Sequence, residues 1–160
     1  MNKALFLDRD GVINHDPGDY TASLQEFIIL PTVLEALKIA QDKGYLLILI
    51  TNQGGIAKGL YTHDTVNEIH DYFRMECKKV GVEITNIYYS PHHPDYGNSL
   101  SRKPCSLLLE RAIGRYNIDV RKSVMIGDKD RDIQCAAQVG VRGIKIPTNA
   151  DLLNYVADLN

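Results

Sequence analysis

The chain has no paired cysteines, no surplus of positive charge and no long apolar run, and each absence removes a class of function. Its three cysteines, Cys77, Cys105 and Cys135, stand far apart, so neither a disulfide framework nor a Cys-x-x-Cys metal site is suggested, and a reducing cytosol fits. Lys and Arg total 18 against 20 Asp and Glu, a net charge of −2. That leaves no basic excess to hold a nucleic-acid backbone or an anionic membrane surface. The apolar stretch after Lys3 is four residues long before Asp8 breaks it. It is too short for a signal peptide, and no later segment could span a bilayer. No repeat, low-complexity tract or linker interrupts the chain. Residues 1–160, 44% of them hydrophobic, are therefore read as a single cytoplasmic domain, expected to be a monomer, with a small soluble molecule as its partner and neither nucleic acid nor membrane.

What is present is an alternation. Short β-rich runs at 4–7, 46–51, 87–90, 123–126 and 143–146 are separated by segments of helical period. That order predicts βαβ units and an α/β fold, a Rossmann-like three-layer sandwich around a mostly parallel sheet. The run LLILIT is apolar on both faces, as a central strand covered on both sides must be. Val66, Ile69, Phe73, Cys77 and Val80 recur every three or four residues, behind Thr62 or Asp64 as a cap. Polar residues fall at strand ends: Asp8, Thr51 with Asn52, Ser90, and Gly127 with Asp128. In an open parallel sheet the carboxyl edge is where ligands bind, so four strands deliver polar groups to one crevice.

Four constellations carry chemistry there. Asp8 and Asp10 are two apart, followed by Gly11; two close carboxylates resist ionising unless a cation such as magnesium sits between them. Thr51-Asn52-Gln53-Gly54-Gly55 offers a hydroxyl, amides and free backbone N–H groups suited to phosphate oxygens. Arg102-Lys103-Pro104 places two cations before a helix that Pro104 is expected to start. Asp128 and Asp132 sit four apart across a strand-to-helix junction. Taken singly each has a plainer alternative: a capped turn, a strand-to-helix turn, a solvated charge pair, or acids favoured at a helix start.

Together, DRDGVIN at 8–14, TNQGGIAKGLYT at 51–62, SPHHP at 90–94, SRKP at 101–104 and GDKDRD at 127–132 resemble the haloacid dehalogenase superfamily of phosphohydrolases. Within it they are similar to the branch of the heptose 1,7-bisphosphate 7-phosphatases and the histidinol-phosphate phosphatases. The resemblance implies a magnesium-dependent phosphatase in which Asp8 is the nucleophile, forming an aspartyl phosphate, and Asp10 the general acid and base. It further implies magnesium on the Asp8 carboxylate, the Asp10 backbone carbonyl and Asp128, with Asp132 in support. Thr51, Asn52 and Lys103 would hold the reacting phosphoryl group. Asp16 to Asp19, Gln53, Gly54, Arg102 and Lys129 would meet the substrate. These roles demand that Asp10 have a raised pKa and that Asp8 stay ionised.

Many relatives carry an inserted cap domain, for which this chain has no room. Substrate choice is thus left to loops at 14–21, 54–61 and 91–101. The segment at 55–62 resembles the heptose enzymes more than the histidinol ones, which implies a sugar bisphosphate as substrate. A nucleic-acid end-processing phosphatase and a catalytically silent binding module are the readings from other classes. The branch also carries a structural zinc on a Cys-x-His, Cys-x-Cys pattern. Here those positions read Ser90-Pro91-His92 and Ser99-Leu100-Ser101, and hydroxyls are poor zinc ligands. The loop is therefore expected to fold without zinc, held by packing around Pro91, Pro94 and Tyr96 and by hydrogen bonds from His92 or His93.

Overall fold

The computed structural model describes residues 1–160. Five strands, β1 (Lys3–Leu7), β2 (Tyr45–Asn52), β3 (Asn86–Ser90), β4 (Val124–Gly127) and β5 (Arg142–Lys145), form one sheet in the order β3-β2-β1-β4-β5. Every pairing is parallel. Helices α1 (Val33–Asp42), α2 (His63–Lys79), α3 (Leu107–Tyr116), α4 (Asp130–Gln138) and α5 (Leu153–Val156) cover its two faces.

The period-2 alternation of the strands sorts the core into two halves. Leu5, Leu7, Leu47, Leu49 and Ile126 pack with Leu37, Phe73 and Val156 of α1, α2 and α5. Ala4, Phe6, Ile48, Ile50 and Met125 pack with Leu109, Ala112, Cys135 and Ala136 of α3 and α4. Burying such side chains contributes about 1.5–3 kcal/mol each, which is why the two central strands are apolar throughout. The three-layer α/β architecture expected from the alternation is present, and no separate cap domain is inserted.

Local signals account for most boundaries. Thr62 caps α2, its Oγ1 accepting from Thr65 N at 3.2 Å. Strands β4 and β5 are each displaced by one residue from the apolar runs. Ser123 lies outside β4 because its hydroxyl is spent on connections, accepting from Ala4 N at 2.9 Å and donating to Asp119 O at 2.7 Å. Pro104 does not start α3. The chain turns first, Cys105 N donating to Arg102 O at 2.9 Å, and the helix begins at Leu107. No helix is long and apolar enough to cross a membrane.

The strand order reverses direction at β1, between β2 and β4. That switch point opens a crevice at the carboxyl ends of the strands, where Asp8, Thr51 and Asp128 follow or end β1, β2 and β4.

Candidate active site

The floor of the crevice is a buried charge cluster. Lys103, 2% exposed, lies with its Nζ 2.8 Å from Asp8 Oδ1 and 2.7 Å from Asp132 Oδ1, and it donates to Ile50 O at 2.6 Å. Burial opposes its charge, yet Asp8 and Asp132 hold its pKa above the ordinary lysine value. Carboxylate oxygens of Asp8, Asp128 and Asp132 all lie within 4.8 Å of one another. Two ammoniums face three carboxylates, Lys103 the pair Asp8 and Asp132 and Lys129 the outer oxygen of Asp128 at 3.1 Å. Asp128 Oδ1 is buried without a hydrogen-bond partner, while Oδ2 accepts from Thr148 Oγ1 at 2.7 Å. Asp132 Oδ2 accepts from Lys129 N at 3.0 Å, while its Oδ1 is ion-paired with Lys103 but, like Asp128 Oδ1, accepts no hydrogen bond. This excess of hard, buried oxygen donors fits a divalent cation such as magnesium. Gly11 makes the approach possible: its φ is +82°, and a Cβ there would lie 2.6 Å from Asp128 Oδ2.

Asp10 belongs to a second network. Arg9, 1% exposed, donates to Asp10 Oδ1 from Nη2 at 2.8 Å and from Nε at 3.3 Å; Asn14 Nδ2 adds a bond at 3.0 Å. Gln53 Nε2 donates to Asp10 Oδ2 at 3.0 Å and to Thr51 Oγ1 at 2.9 Å, and Gln53 Oε1 accepts from Tyr61 OH at 2.8 Å. The surroundings push the two carboxyls in opposite directions. Burial raises the Asp10 carboxyl but is outweighed by the charge and hydrogen bonds of Arg9 and by Asn14 and Gln53, so it lies below the usual value. Burial, helped by the charges of Asp132 and Asp10 and opposed by Lys103, pushes Asp8 up. Of the acids whose charge raises Asp8, Asp132 acts more strongly than Asp10.

Behind Arg9 stands His70, 5% exposed, with Nε2 3.4 Å from Arg9 Nη1. Burial, and then the Arg9 charge, push its imidazole down to about 3. The folded value thus lies below the unfolded one of 6.5, so between the two the unfolded chain binds a proton that the folded chain refuses. Stability from this site is full above the unfolded pKa and falls as pH drops below it. Between pH 7 and pH 5 the loss amounts to about 2 kcal/mol. His70→Gln is expected to flatten the acid slope by that amount, read from urea unfolding across this range. An unchanged slope would mean that His70 is not held neutral.

A cavity of about 410 Å³ is lined by 14 residues that include Asp10, Asp16, Asp19, Asn52, Gln53, Gly54, Arg102 and Lys129; the buried cluster of Asp8, Lys103, Asp128 and Asp132 meets it only through sequence neighbours such as Asp10 and Lys129. All three loops expected to choose the substrate contribute, through Asp16 with residues 18–21, Gly54 with Tyr61, and His93. Asn52 and Gln53, expected at the phosphoryl group and at the substrate, both line the cavity and also bond within the protein. Asn52 Oδ1 accepts from Lys103 N at 2.9 Å and its Nδ2 donates to Lys103 O at 3.1 Å, so the amide grips the lysine backbone. Gln53 is 1% exposed and orients Asp10. Asp16 is tied to Asn149, accepting and donating through backbone groups at 2.9 and 2.7 Å. Residue reading missed Arg9, His70, Tyr61, Thr148 and Arg131. Arg9, Tyr61 and Arg131 lie inside the motif segments but were given no role there, and His70 and Thr148 lie outside them.

Ser90 Oγ lies 2.8 Å from Ser101 Oγ, which lies 2.9 Å from Ser99 Oγ. These three hydroxyls bond to each other, and the one buried acidic or histidine cluster with metal-ligand spacing is that of Asp8, Asp128 and Asp132. His93 Nδ1 accepts from Asp95 N at 3.2 Å. Tyr96, expected to pack the loop, is 67% exposed; the serine triad ties the loop's two ends instead.

Comparison with known proteins agrees with this geometry. Residues 100–154 match the family described as HAD-hydrolase-like. The D-glycero-D-manno-heptose-1,7-bisphosphate 7-phosphatase of Chlorobaculum tepidum is 37% identical over 157 residues, covering 91% of this chain and 79% of its own. The D-glycero-beta-D-manno-heptose-1,7-bisphosphate 7-phosphatase of Haemophilus ducreyi is 39% identical over 146 residues, 88% of this chain and 80% of its own. The crystal structure of D,D-heptose 1,7-bisphosphate phosphatase from B. bronchiseptica, complexed with magnesium and phosphate, superposes with a TM-score of 0.86 at 34% identity, over 99% of this chain and 88% of that one. With the switch-point crevice and its carboxylate cluster, these likenesses establish that the chain is a phosphatase of the haloacid dehalogenase superfamily and belongs to the family of the heptose-1,7-bisphosphate 7-phosphatases.

Proposed function

We propose that the chain removes the C7 phosphate of a D-glycero-D-manno-heptose 1,7-bisphosphate, with magnesium, through an aspartyl phosphate on Asp8. The observation that carries this reading is a buried Asp8 gripped by Lys103, two residues before Asp10, which lines a polar cavity together with the cations Arg102, Lys129 and Arg131. Such a layout suits a substrate with a reacting phosphate at one end and a second anion at the other. The names of the relatives support the choice of sugar.

In this mechanism an Asp8 oxygen attacks phosphorus and the P–O bond to the sugar oxygen breaks. Lys103 offsets the negative charge on the nucleophile and on the transferring group, with Thr51 beside it. Asp10 gives a proton to the leaving alkoxide, then takes one from the water that attacks the aspartyl phosphate and restores Asp8. Arg9 favours the Asp10 carboxylate, so Asp10 takes the proton it will donate from solvent as the substrate's phosphate dianion adds negative charge beside it. A magnesium ion would be held by the Asp8 carboxylate, the Asp10 backbone carbonyl and Asp128, with Asp132 anchoring Lys103 behind them. When bound it supplies neutralisation of the phosphoryl oxygens.

The test is phosphate release from both anomers of the heptose bisphosphate, fructose 1,6-bisphosphate and histidinol phosphate. A heptose bisphosphate is expected to lead histidinol phosphate by at least about tenfold in kcat/KM, roughly 1.4 kcal/mol of differential transition-state binding. Equal or reversed preference would refute the choice of substrate.

A further inference from the structure

The cations around the cavity are not equivalent. Lys129 is answered within the protein: its Nζ lies 3.1 Å from Asp128 Oδ2 and 4.0 Å from Asp16 Oδ2, and donates to Thr148 Oγ1 at 3.2 Å. Arg102 gives Nη1 to His92 O at 2.9 Å and has no carboxylate within ion-pair distance. Its guanidinium rests against the main chain at Gly54, where a Cβ would come within 3.0 Å of Nη1.

Arg131, the second residue of α4, has no ion-pair partner either, and its Nε is buried with no hydrogen-bond partner. The neighbouring Asp130 does not serve it, being paired with Lys145 at 2.6 Å. Arg131 and Arg102 both line the cavity. They are close enough for the charge of Arg131, after burial, to help hold Arg102 below its ordinary value. Two guanidiniums that repel each other and lack a carboxylate are a poor arrangement for the empty chain and a good one for a chain holding a planar-recognised dianion, which guanidinium N–H groups bind in pairs.

We propose that Arg131 joins Arg102 to seat a second anionic group on the substrate, the phosphate that is not transferred, and that Arg131 thereby sets the preference for a bisphosphorylated over a monophosphorylated substrate. The inference rests on the reading above in one respect, that the reacting phosphate sits at Asp8. It goes beyond it in assigning the distal anion to a residue that the family resemblance did not supply, and in separating Arg131 from Lys129, whose charge is committed to the Asp128 end.

The experiment compares the wild type, Arg131→Met and Arg131→Lys on heptose 1,7-bisphosphate, on fructose 1,6-bisphosphate and on p-nitrophenyl phosphate, which has no second anion. In Arg131→Met the ratio of kcat/KM for either bisphosphate to that for p-nitrophenyl phosphate is expected to fall about 10- to 100-fold, carried mainly by KM, the loss expected of a charged hydrogen-bonding group that touches only the bound substrate. Arg131→Lys, which keeps the charge without the fork, should recover part of it. An unchanged ratio, whether the rates hold or fall together, overturns the proposal, since a purely structural role would lower all substrates alike. If the wild type rejects the heptose but hydrolyses fructose 1,6-bisphosphate, the proposed substrate fails while the ratio on fructose 1,6-bisphosphate still decides the seat. If it prefers the heptose bisphosphate and Arg131→Met leaves that preference intact, the seat fails and the substrate stands.

Discussion

Asp8→Asn is expected to abolish turnover, with a loss on the order of 10⁴-fold or more, while the fold survives. The amide has nearly the shape of the carboxylate but is a poor nucleophile, so the barrier rises by about 5 kcal/mol or more. Stability should not suffer in proportion. Asp8 is buried beside Asp132, and burial already pushes its carboxyl up in the metal-free chain, so a neutral amide removes an unfavourable charge there. Lys103 keeps Asp132 as a partner at 2.7 Å. The check is steady-state phosphate release beside urea unfolding without metal: turnover near wild type would remove Asp8 from the role, and an unfolded variant would mean that its charge holds the crevice together.

Lys103→Met is the converse case and should damage both properties. Methionine matches the length of the stem but leaves Asp8 and Asp132 buried with no cation between them, and it removes the bond to Ile50 O. Breaking one partner of a buried ion pair costs about 3–5 kcal/mol, and loss of a positioned donor at the transferring group costs about 10²–10³-fold in kcat. Magnesium should restore part of the stability, because it supplies positive charge to the same carboxylates, and little of the rate. Urea midpoints with and without magnesium, beside kcat, test this. A variant as stable as the wild type without metal would show that the cluster is not held by Lys103.

The contrast between these two substitutions shows where sequence reading succeeds. Strand positions were legible because LLILIT and its neighbours are apolar on both faces, and Asp8, Thr51 and Asp128 stand at strand ends whatever the rest of the chain does. The partners of those residues were not legible, because they come from distant elements. Asn52 and Gln53 have the composition of a phosphate-binding turn, yet their amides are taken by the Lys103 backbone and by Asp10. Arg9, flanked by two aspartates, reads as a solvated cation; only the packing of His70 from α2 and of Phe27, with its ring 5.7 Å from the guanidinium, makes it a buried clamp. That clamp also holds the Asp10 carboxyl below its usual value. Arg131 was hidden among the acids at the start of α4, where Asp130 and Asp132 drew the attention and a lone arginine carried no pattern.

The most direct measurement of the central claim is a rapid acid quench of the enzyme turning over heptose 1,7-bisphosphate radiolabelled at the C7 phosphate, followed by peptide mapping. Transient label on the peptide that carries Asp8, absent from Asp8→Asn and absent when the label is on the C1 phosphate, is the expected result. Turnover with no protein-bound label, or label on another residue, would contradict it.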